Sequence, residues 1–284
     1  PGSEVSVFSS QEDPFLWLED VEGERALKWV SNENTASTQR LESDKRFRPI
    51  EKQVLSILES NDRIPYVWQG RGWFYNFWQD QKNTRGVWRR TLGAEYQKLS
   101  PRWNVLLDLD KLARKEKENW VWKGESGLSD DSRFLISLSR GGKDAVVVRE
   151  FDATKRQFVQ GGFEVPEAKT DVDWWDKNRL LIATDFGPGS LTHSGYPRVL
   201  KVWNRGEALD KATTVLEGDV SDVSVSPMVM ETPEGPVAFL VRSLTFYTSQ
   251  YFLLGPDLKA VRLNLPEDVG LEGVWKGLSF WRLR

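Results

Sequence analysis

The sequence predicts a mainly β protein that begins with a helical segment, and three observations lead to this prediction. Of the 284 residues, 14 are tryptophan and 12% are aromatic, and twelve of the tryptophans follow residue 60. Aromatic and β-branched side chains suit the half-buried faces of strands. The spacing of apolar residues also changes near Arg63, from a helical period of about 3.6 to a strand period of about 2. After that point short apolar runs recur in groups of four, divided by Gly, Pro, Asn and Asp.

Residues 13–62 are expected to form two helices. Asp20 is the expected N-cap of the first helix, which continues to about Leu41, because acidic residues follow it where the helix dipole favours them. Pro49 is expected at the first position of the second helix, where its missing N–H costs nothing. The second helix carries apolar residues on mostly one face, namely Ile50, Val54, Leu55, Ile57 and Leu58.

The strands of the remaining chain form repeats. The second strand of each group begins near residues 73, 133, 180 and 237, so the groups are about 60, 47 and 57 residues apart. Four short antiparallel strands in a repeat of this length is the pattern of propeller blades. The predicted fold is therefore an incomplete β-propeller, with about four blades and the start of a fifth. A β-sandwich is the alternative, although its turns would not group the strands in fours.

The prediction assigns residues 1–62 to the helical segment and residues 63–284 to a partial propeller. A short charged helix is expected at 108–118. The chain stops inside a β pattern, VWKGLSFWRLR, whereas propellers close on themselves to remove free strand edges. We therefore expect a truncated chain that self-associates through uncovered edges and apolar side chains.

The composition excludes several classes of function. A net charge of −3 gives no field to attract nucleic acid or an anionic membrane, so neither is an expected partner. The chain has no cysteine and one histidine, His193, which leaves no metal site or cofactor to predict. The N-terminal PGSEVSVFSS lacks the basic and apolar regions of a signal peptide. We expect a cytoplasmic protein, or a periplasmic one if a leader has been removed.

The residues required for serine-hydrolase catalysis do not come together in the sequence. Ser190 and Ser194 lie near His193, but in a loop with three glycines and two prolines, and the G-x-S-x-G motif is absent. Asp171, Asp173 and Asp176 are interpreted as turn acids, because the spacing of a calcium loop is missing. No catalytic residue is predicted, and these observations alone indicate a binding or interaction module.

Several motifs resemble the prolyl oligopeptidase family of serine peptidases. The block DPFLWLED at residues 13–20, followed by Trp29-Val30 and Asn34, resembles the opening signature of that family. The runs WFYNFW at 73–78 and TRGVWRR at 84–90 resemble its first propeller blade. GLSDD at 127–131 and SLSRGGKD at 137–144 resemble its second, and the likeness covers essentially the whole chain.

In that family an α/β-hydrolase domain carries a Ser-Asp-His triad, and a seven-bladed propeller caps the active site and admits short peptides. The resemblance implies that this chain is the substrate-gating propeller of a serine oligopeptidase, that the hydrolase domain is its partner, and that the chain alone is inactive. Cleavage after proline is one activity in the family, but its propeller-side aromatic residue corresponds to about Lys169-Thr170 here. A free-standing propeller module is the alternative. DPFLWLED favours the peptidase, because a free propeller does not need an N-terminal segment with an apolar face for a partner.

The resemblance also implies that the long loop Asp185–Arg198 lies where the propeller faces the hydrolase domain. Glycines in this loop permit conformations that other residues resist. The predicted substrate-gating rim consists of Arg140, Lys143, Phe186, His193, Tyr196 and Arg198. The alternative is an ordinary surface loop.

Overall fold

The computed structural model describes residues 13–283, and the chain divides into two compact units, Pro1–Asn61 and Asp62–Arg284. The expectation about a signal peptide concerns residues 1–10, which lie outside the described residues. No helix within residues 13–283 is long and apolar enough to cross a membrane.

The first unit is helical, as predicted. Trp17 meets Trp29 edge to face with ring centroids 6.2 Å apart, and the Arg25 guanidinium lies 4.1 Å from the Trp17 centroid. These contacts join the DPFLWLED segment to the first helix. The elements are a 3-10 helix (Leu16–Leu18), α1 (Glu24–Glu42) and α2 (Phe47–Leu58).

The predicted starts of both helices were wrong by a few residues. Gly23, not Asp20, is the N-cap of α1, and no side chain caps that helix. The Asp20 carbonyl accepts the Gly23 N–H at 3.0 Å, so Asp20 opens a turn before the helix. A Cβ at Gly23 would lie 2.5 Å from an Asp20 carboxyl oxygen, so any other residue at this position would have to displace the exposed Asp20 side chain. Pro49 is the third residue of α2, still within the first turn, where a backbone N–H has no intrahelical partner.

The second unit confirms the predicted incomplete propeller. Four antiparallel sheets follow one another along the chain, and a two-stranded hairpin comes after them. Blade 1 contains β1 (Trp68–Gln69), β2 (Trp73–Trp78), β3 (Val87–Leu92) and β4 (Asn104–Asp108). Blade 2 contains β5 (Trp120–Gly127), β6 (Arg133–Arg140), β7 (Val146–Asp152), β8 (Gln157–Phe158) and β9 (Glu164–Ala168). Blade 3 contains β10 (Asp171–Asp176), β11 (Arg179–Ala183), β12 (Val199–Asn204) and β13 (Thr213–Glu217). Blade 4 contains β14 (Ser224–Met230), β15 (Val237–Ser243), β16 (Ser249–Leu254) and β17 (Ala260–Arg262), and the hairpin contains β18 (Gly270–Trp275) and β19 (Leu278–Arg282).

The fourth position of blade 2 differs from the sequence prediction. A single strand was expected at 157–163, but two short strands, β8 and β9, both pair with β7. The connections carry three short helices, α3 (Gly93–Tyr96), α4 (Leu109–Glu116) and a 3-10 helix (Leu209–Lys211). The charged insert is α4, and the Asp108 carboxylate caps it by accepting the Lys111 N–H at 2.9 Å.

The core lies between successive blades rather than inside any one of them. Alternate side chains of a strand point to opposite faces of the sheet, so each blade packs against both neighbours. Phe134 of β6 packs with Trp88 of blade 1 at a centroid distance of 4.8 Å, while Leu135 belongs to the cluster shared with blade 3. The interface between blades 1 and 2 is rich in aromatic rings, whereas the one between blades 3 and 4 is mostly aliphatic.

The order of antiparallel strands brings one set of connections to the same end of the blades. The turn after the second strand of each blade, and the segment that leads to the next blade, lie at this end, which we call the rim end. The turns concerned are residues 79–86, 141–145, 184–198 and 244–248. Arg140, Lys143, Phe186, His193, Tyr196 and Arg198 therefore share this end of the blades, and their substrate-gating role stays a prediction.

Candidate functional site

The loop between β11 and β12 is held in a defined conformation by its own hydroxyl and backbone groups. Ser190 is buried, and its Oγ lies 2.7 Å from the Gly187 carbonyl and 3.0 Å from an Asp185 carboxyl oxygen. The Thr192 N–H donates to the Tyr196 carbonyl at 2.8 Å, which closes a small turn around His193. The exposed tip of the loop thus stands on a buried base.

Arg198 supports this loop from below. Its guanidinium donates to the carbonyls of Gly189 and Gly218, each at 2.7 Å, and pairs with Glu217 at 2.7 Å. The Arg198 side chain is therefore fully engaged in joining the loop to the segment after β13. It positions the rim rather than offering a free charge to a ligand.

Arg140 is the last residue of β6 and Lys143 lies on the turn that follows, and the two side chains differ in their contacts. Arg140 forms ion pairs of 2.7 Å with both Glu118 and Glu167, and its guanidinium lies 5.0 Å from the Trp120 ring centroid. Lys143 is exposed at the tip of the turn. Arg140 therefore braces the turn that presents Lys143.

The segment between β9 and β10 connects these two groups of rim residues. Glu167 pairs with Arg140, and two residues later the Lys169 ammonium lies 3.9 Å from the Tyr196 ring centroid. The half-buried Phe186 meets a second cation, since the Lys201 ammonium lies 4.3 Å from its centroid. The rim is thus a row of contacts along one end of blades 2 and 3, not a single cluster of side chains.

Ser190 and His193 do not form a nucleophile–base pair. The Ser190 hydroxyl faces Asp185 and Gly187, while the His193 backbone N–H donates to the Val220 carbonyl at 2.8 Å and its ring is exposed. Within residues 13–283 there is also no group of three or more His, Asp or Glu side chains arranged to hold a metal ion.

Asp173 has a role that the sequence interpretation missed. Its carboxylate accepts the Ser126 hydroxyl of β5 at 2.9 Å and the Val229 N–H of β14 at 3.0 Å, in addition to the N–H of Trp174. Burial raises the pKa of Asp173, and these hydrogen bonds oppose the shift. Asp173 is therefore not a turn acid but a bond between the first strands of three consecutive blades. In the sequence, the one signal of this role was the two-residue spacing of Asp171 and Asp173, which places both side chains on the same face of a strand.

A second half-buried acid, Glu125, lies at the junction of blades 2 and 3. Glu125 lines a cavity of about 280 Å³ together with Lys123, Asp144 and Asp171. Burial raises the pKa of Glu125 to about 7; a hydrogen bond from the Trp68 side chain opposes the shift, and the Asp131 charge adds to it. Glu125 therefore changes its charge near neutral pH, which sequence reasoning had not predicted. In contrast, Asp176 is a turn acid as interpreted, since it accepts the Asn178 N–H and pairs with Arg179 at 2.7 Å.

Two relatives that match almost the whole of this sequence are named as peptidases. The family profile described as prolyl oligopeptidase, N-terminal β-propeller domain, matches residues 6–230. An uncharacterized peptidase of Sinorhizobium fredii is 37% identical over 283 residues, which cover 96% of this chain and 38% of that protein. An uncharacterized peptidase of Rickettsia prowazekii is 32% identical over 98% of this chain and 40% of its own length.

Solved structures agree in fold. A post-proline cleaving enzyme from Rickettsia typhi superposes with a TM-score of 0.86 at 33% identity, covering 93% of this chain and 40% of that one. The chain thus spans about two fifths of the length of the relatives it matches. Because the family profile covers most of the chain and the blades have the same architecture, this chain belongs to the prolyl oligopeptidase family and represents its N-terminal β-propeller domain.

Proposed function

We propose that this chain is the substrate-gating part of a serine oligopeptidase and that a separate α/β-hydrolase domain of the same polypeptide performs the chemistry. The observation that carries the proposal is identity of 32–37% over nearly the whole chain to peptidases of which it spans only about two fifths. The chain alone is expected to hydrolyse no peptide. Post-proline cleavage, the activity named for the Rickettsia typhi relative, is the proposed specificity.

The helical unit supports the existence of a partner domain. Ala26 is the one buried residue among the described residues of α1 and α2. The large apolar side chains of these helices are mostly exposed, among them Trp29, Val30, Ile50, Val54 and Leu58. Surfaces of this kind mark protein interaction sites, and we assign this one to the hydrolase domain.

The rim end supports the gating role. It presents Lys143, His193 and Tyr196 to solvent on turns whose bases are fixed by Arg140 and Arg198. A fixed rim can select peptides by size, because a long or folded substrate has to pass the tips while a short one does not touch them.

The proposal is tested by comparing this chain with the full-length polypeptide. Both are assayed with a proline-directed reporter peptide and with diisopropyl fluorophosphate, which labels an activated serine. We expect turnover and stoichiometric labelling of the full-length polypeptide and neither in the chain. Labelling of Ser190 or Ser194 in the chain would overturn the division of labour, and an inert full-length polypeptide would overturn the peptidase assignment.

Gating has its own test in the full-length polypeptide. Shortening the loop would remove the buried bonds of Ser190 and Thr192, so we choose the exposed positions and replace His193 and Tyr196 by alanine. The relative rates for long and short peptides should change while serine labelling stays intact. Leu99→Ala, at a fully exposed position outside the rim end, is the matched control. Unchanged size selectivity in the His193→Ala/Tyr196→Ala variant would leave an ordinary surface loop.

A further inference from the structure

The turn between β15 and β16 of blade 4 places two bare aromatic rings in solvent. Phe246 is 88% exposed and Tyr247 is 77% exposed. The two aromatic residues in the corresponding turn of blade 3 are partly covered: Phe186 lies against the Lys201 ammonium and Tyr196 against that of Lys169. Uncovered rings cost free energy in water, so this arrangement points to a partner.

The turn holds these rings in one position. Thr245 Oγ1 accepts the N–H groups of Tyr247 and Thr248, each at 3.1 Å, and lies 2.7 Å from Thr248 Oγ1. The Leu244 N–H donates to the Thr248 carbonyl at 2.9 Å and closes the turn. The backbone of the turn is therefore already ordered before binding, so insertion of the two rings would cost little further conformational entropy.

Among the turns after the second strands, those of blades 3 and 4 carry aromatic residues, and only in blade 4 are the rings almost fully exposed. The turns between the first and second strands, at residues 70–72, 128–132, 177–178, 231–236 and 276–277, contain no aromatic residue, and in the β3–β4 connection at the same end Tyr96 and Trp103 are half-buried. At the rim end, the turns of blades 1 and 2 are polar or glycine-rich (QDQKNTRG and GGKDA). The exposed rings thus follow neither from the strand repeat nor from turn chemistry.

The shape of the turn indicates what kind of partner it fits. Two rings at the tip of a hairpin form a convex, uncharged projection, and aromatic anchors of this type bind by filling a pocket on a folded partner. A flexible peptide instead requires a groove. The relatives carry about three fifths of their length outside the region matched by this chain, so a folded partner on the same polypeptide is available.

We propose that the turn Leu244–Thr248 is a docking knob that inserts Phe246 and Tyr247 into a pocket on the hydrolase domain of the longer polypeptide. This inference rests on the proposed function, since it requires a hydrolase domain facing the rim end. It assigns to blade 4 an anchoring role that is distinct from the gating role of blades 2 and 3.

The absence of cysteine from this chain allows a direct test. Tyr247→Cys is introduced into the 284-residue chain and into the full-length polypeptide, and the rate of maleimide labelling at that position is followed by peptide mapping in the mass spectrometer. We expect labelling to be at least about tenfold slower in the full-length polypeptide, corresponding to a contact that is closed most of the time. Leu99→Cys should react equally fast in both backgrounds. Phe246→Cys repeats the experiment if the first variant does not retain the wild-type melting temperature.

Three outcomes would overturn the proposal that this turn docks on the hydrolase domain. Equal labelling in both backgrounds would mean that nothing covers the turn. Protection that appears only with saturating proline peptide would assign the rings to substrate, and protection of the chain alone at high concentration would assign them to a second copy. Peptidase activity is measured on the same full-length sample, so an active but unprotected enzyme rejects only the knob, whereas an inert one rejects the proposed function.

Discussion

The helices and the blades treat their apolar side chains in opposite ways. In β11 four of five residues are buried, and the strands around it build continuous clusters with the neighbouring blades. In α1 and α2 the apolar residues stay mostly in water. A blade needs only the next blade to complete its core, whereas the helical unit leaves most of its own apolar side chains uncovered, as the proposed docking to a hydrolase domain requires. The blades therefore stabilise one another, while the two helices contribute little buried apolar surface of their own.

Replacing a central ring of the blades should give the largest effect. Trp88 is fully buried and packs against Phe134 and Phe151 with centroids 4.8 and 5.7 Å away. Trp88→Ala should lower the free energy of unfolding by about 3–5 kcal/mol, because it leaves a cavity between blades 1 and 2. The measurement is the midpoint of guanidinium unfolding. Trp29→Ala in α1 is the matched control, and an equal loss there would erase the contrast between helices and blades.

Removing an ion pair between blades should also lower the free energy of unfolding more than removing one in the helical unit, although by less than the loss of Trp88. Arg205, on the β12–β13 connection, reaches across to the buried Glu150 of β7 with two hydrogen bonds of 2.8 and 3.1 Å. Arg205→Ala should destabilise the chain by about 3 kcal/mol, since it leaves the Glu150 carboxylate short of a partner in a buried site. The exposed Arg46–Asp44 pair of the helical unit serves as control, and Arg46→Ala should not shift the same unfolding curve measurably. Retained stability in Arg205→Ala would mean that Arg133, 3.5 Å from Glu150, suffices.

Glu125 should make the stability of the blades depend on pH. Its pKa is raised from 4.5 to about 7 in the folded chain, so folding favours the protonated form. The contribution of Glu125 to the free energy of unfolding is therefore fully present below about pH 4.5. It is lost as the pH rises through 7, and the loss amounts to up to about 2–3 kcal/mol. Glu125→Gln, which keeps an acceptor for Trp68, should flatten this part of the melting temperature–pH profile. The exposed Glu164→Gln should follow the wild-type profile, and an unchanged slope in Glu125→Gln would reject the assignment.

Self-association should come mainly from the helices. Ile50 and Leu58 of α2 are 57% and 60% exposed, and we expect the 284-residue chain to form dimers or larger species. Ile50→Lys combined with Leu58→Lys should shift the distribution toward monomer in sedimentation velocity, with little change in unfolding. Leu99→Lys is the control for added charge. Association that persists unchanged in the double variant would direct attention to the edge of the β18–β19 hairpin instead.

Periodicity was enough to predict the repeating architecture. The second strands were placed within a residue of their starts, because aromatic and β-branched runs bounded by turn residues are local signals. The N-cap of α1 was not predicted correctly, because Gly23 caps through backbone conformation and leaves no side-chain signature. The split of the last position of blade 2 into β8 and β9 depends on pairing with β7, which local sequence does not encode.

The site was less predictable for a physical reason. Composition identified acids and loops, but the partners of Asp173 are 47 and 56 residues away along the chain, at Ser126 and Val229. The raised pKa of Glu125 likewise depends on how deeply two blades enclose it. The predicted rim residues came from the family resemblance and stay a prediction, whereas the ion pairs and carbonyl contacts by which Arg140 and Arg198 hold their turns became visible only in the structure.

The placement of the core between blades has a consequence during synthesis. The face of blade 1 formed by Tyr75 and Trp88 is covered by Phe134 and Phe151 of blade 2, so it stays open until the next repeat has left the ribosome. At roughly 5–20 residues per second, a repeat of this size takes several seconds to emerge. Each blade therefore waits with an exposed aromatic face, and slow codons or stalls at blade boundaries should raise the yield of aggregated chain more than stalls within a blade.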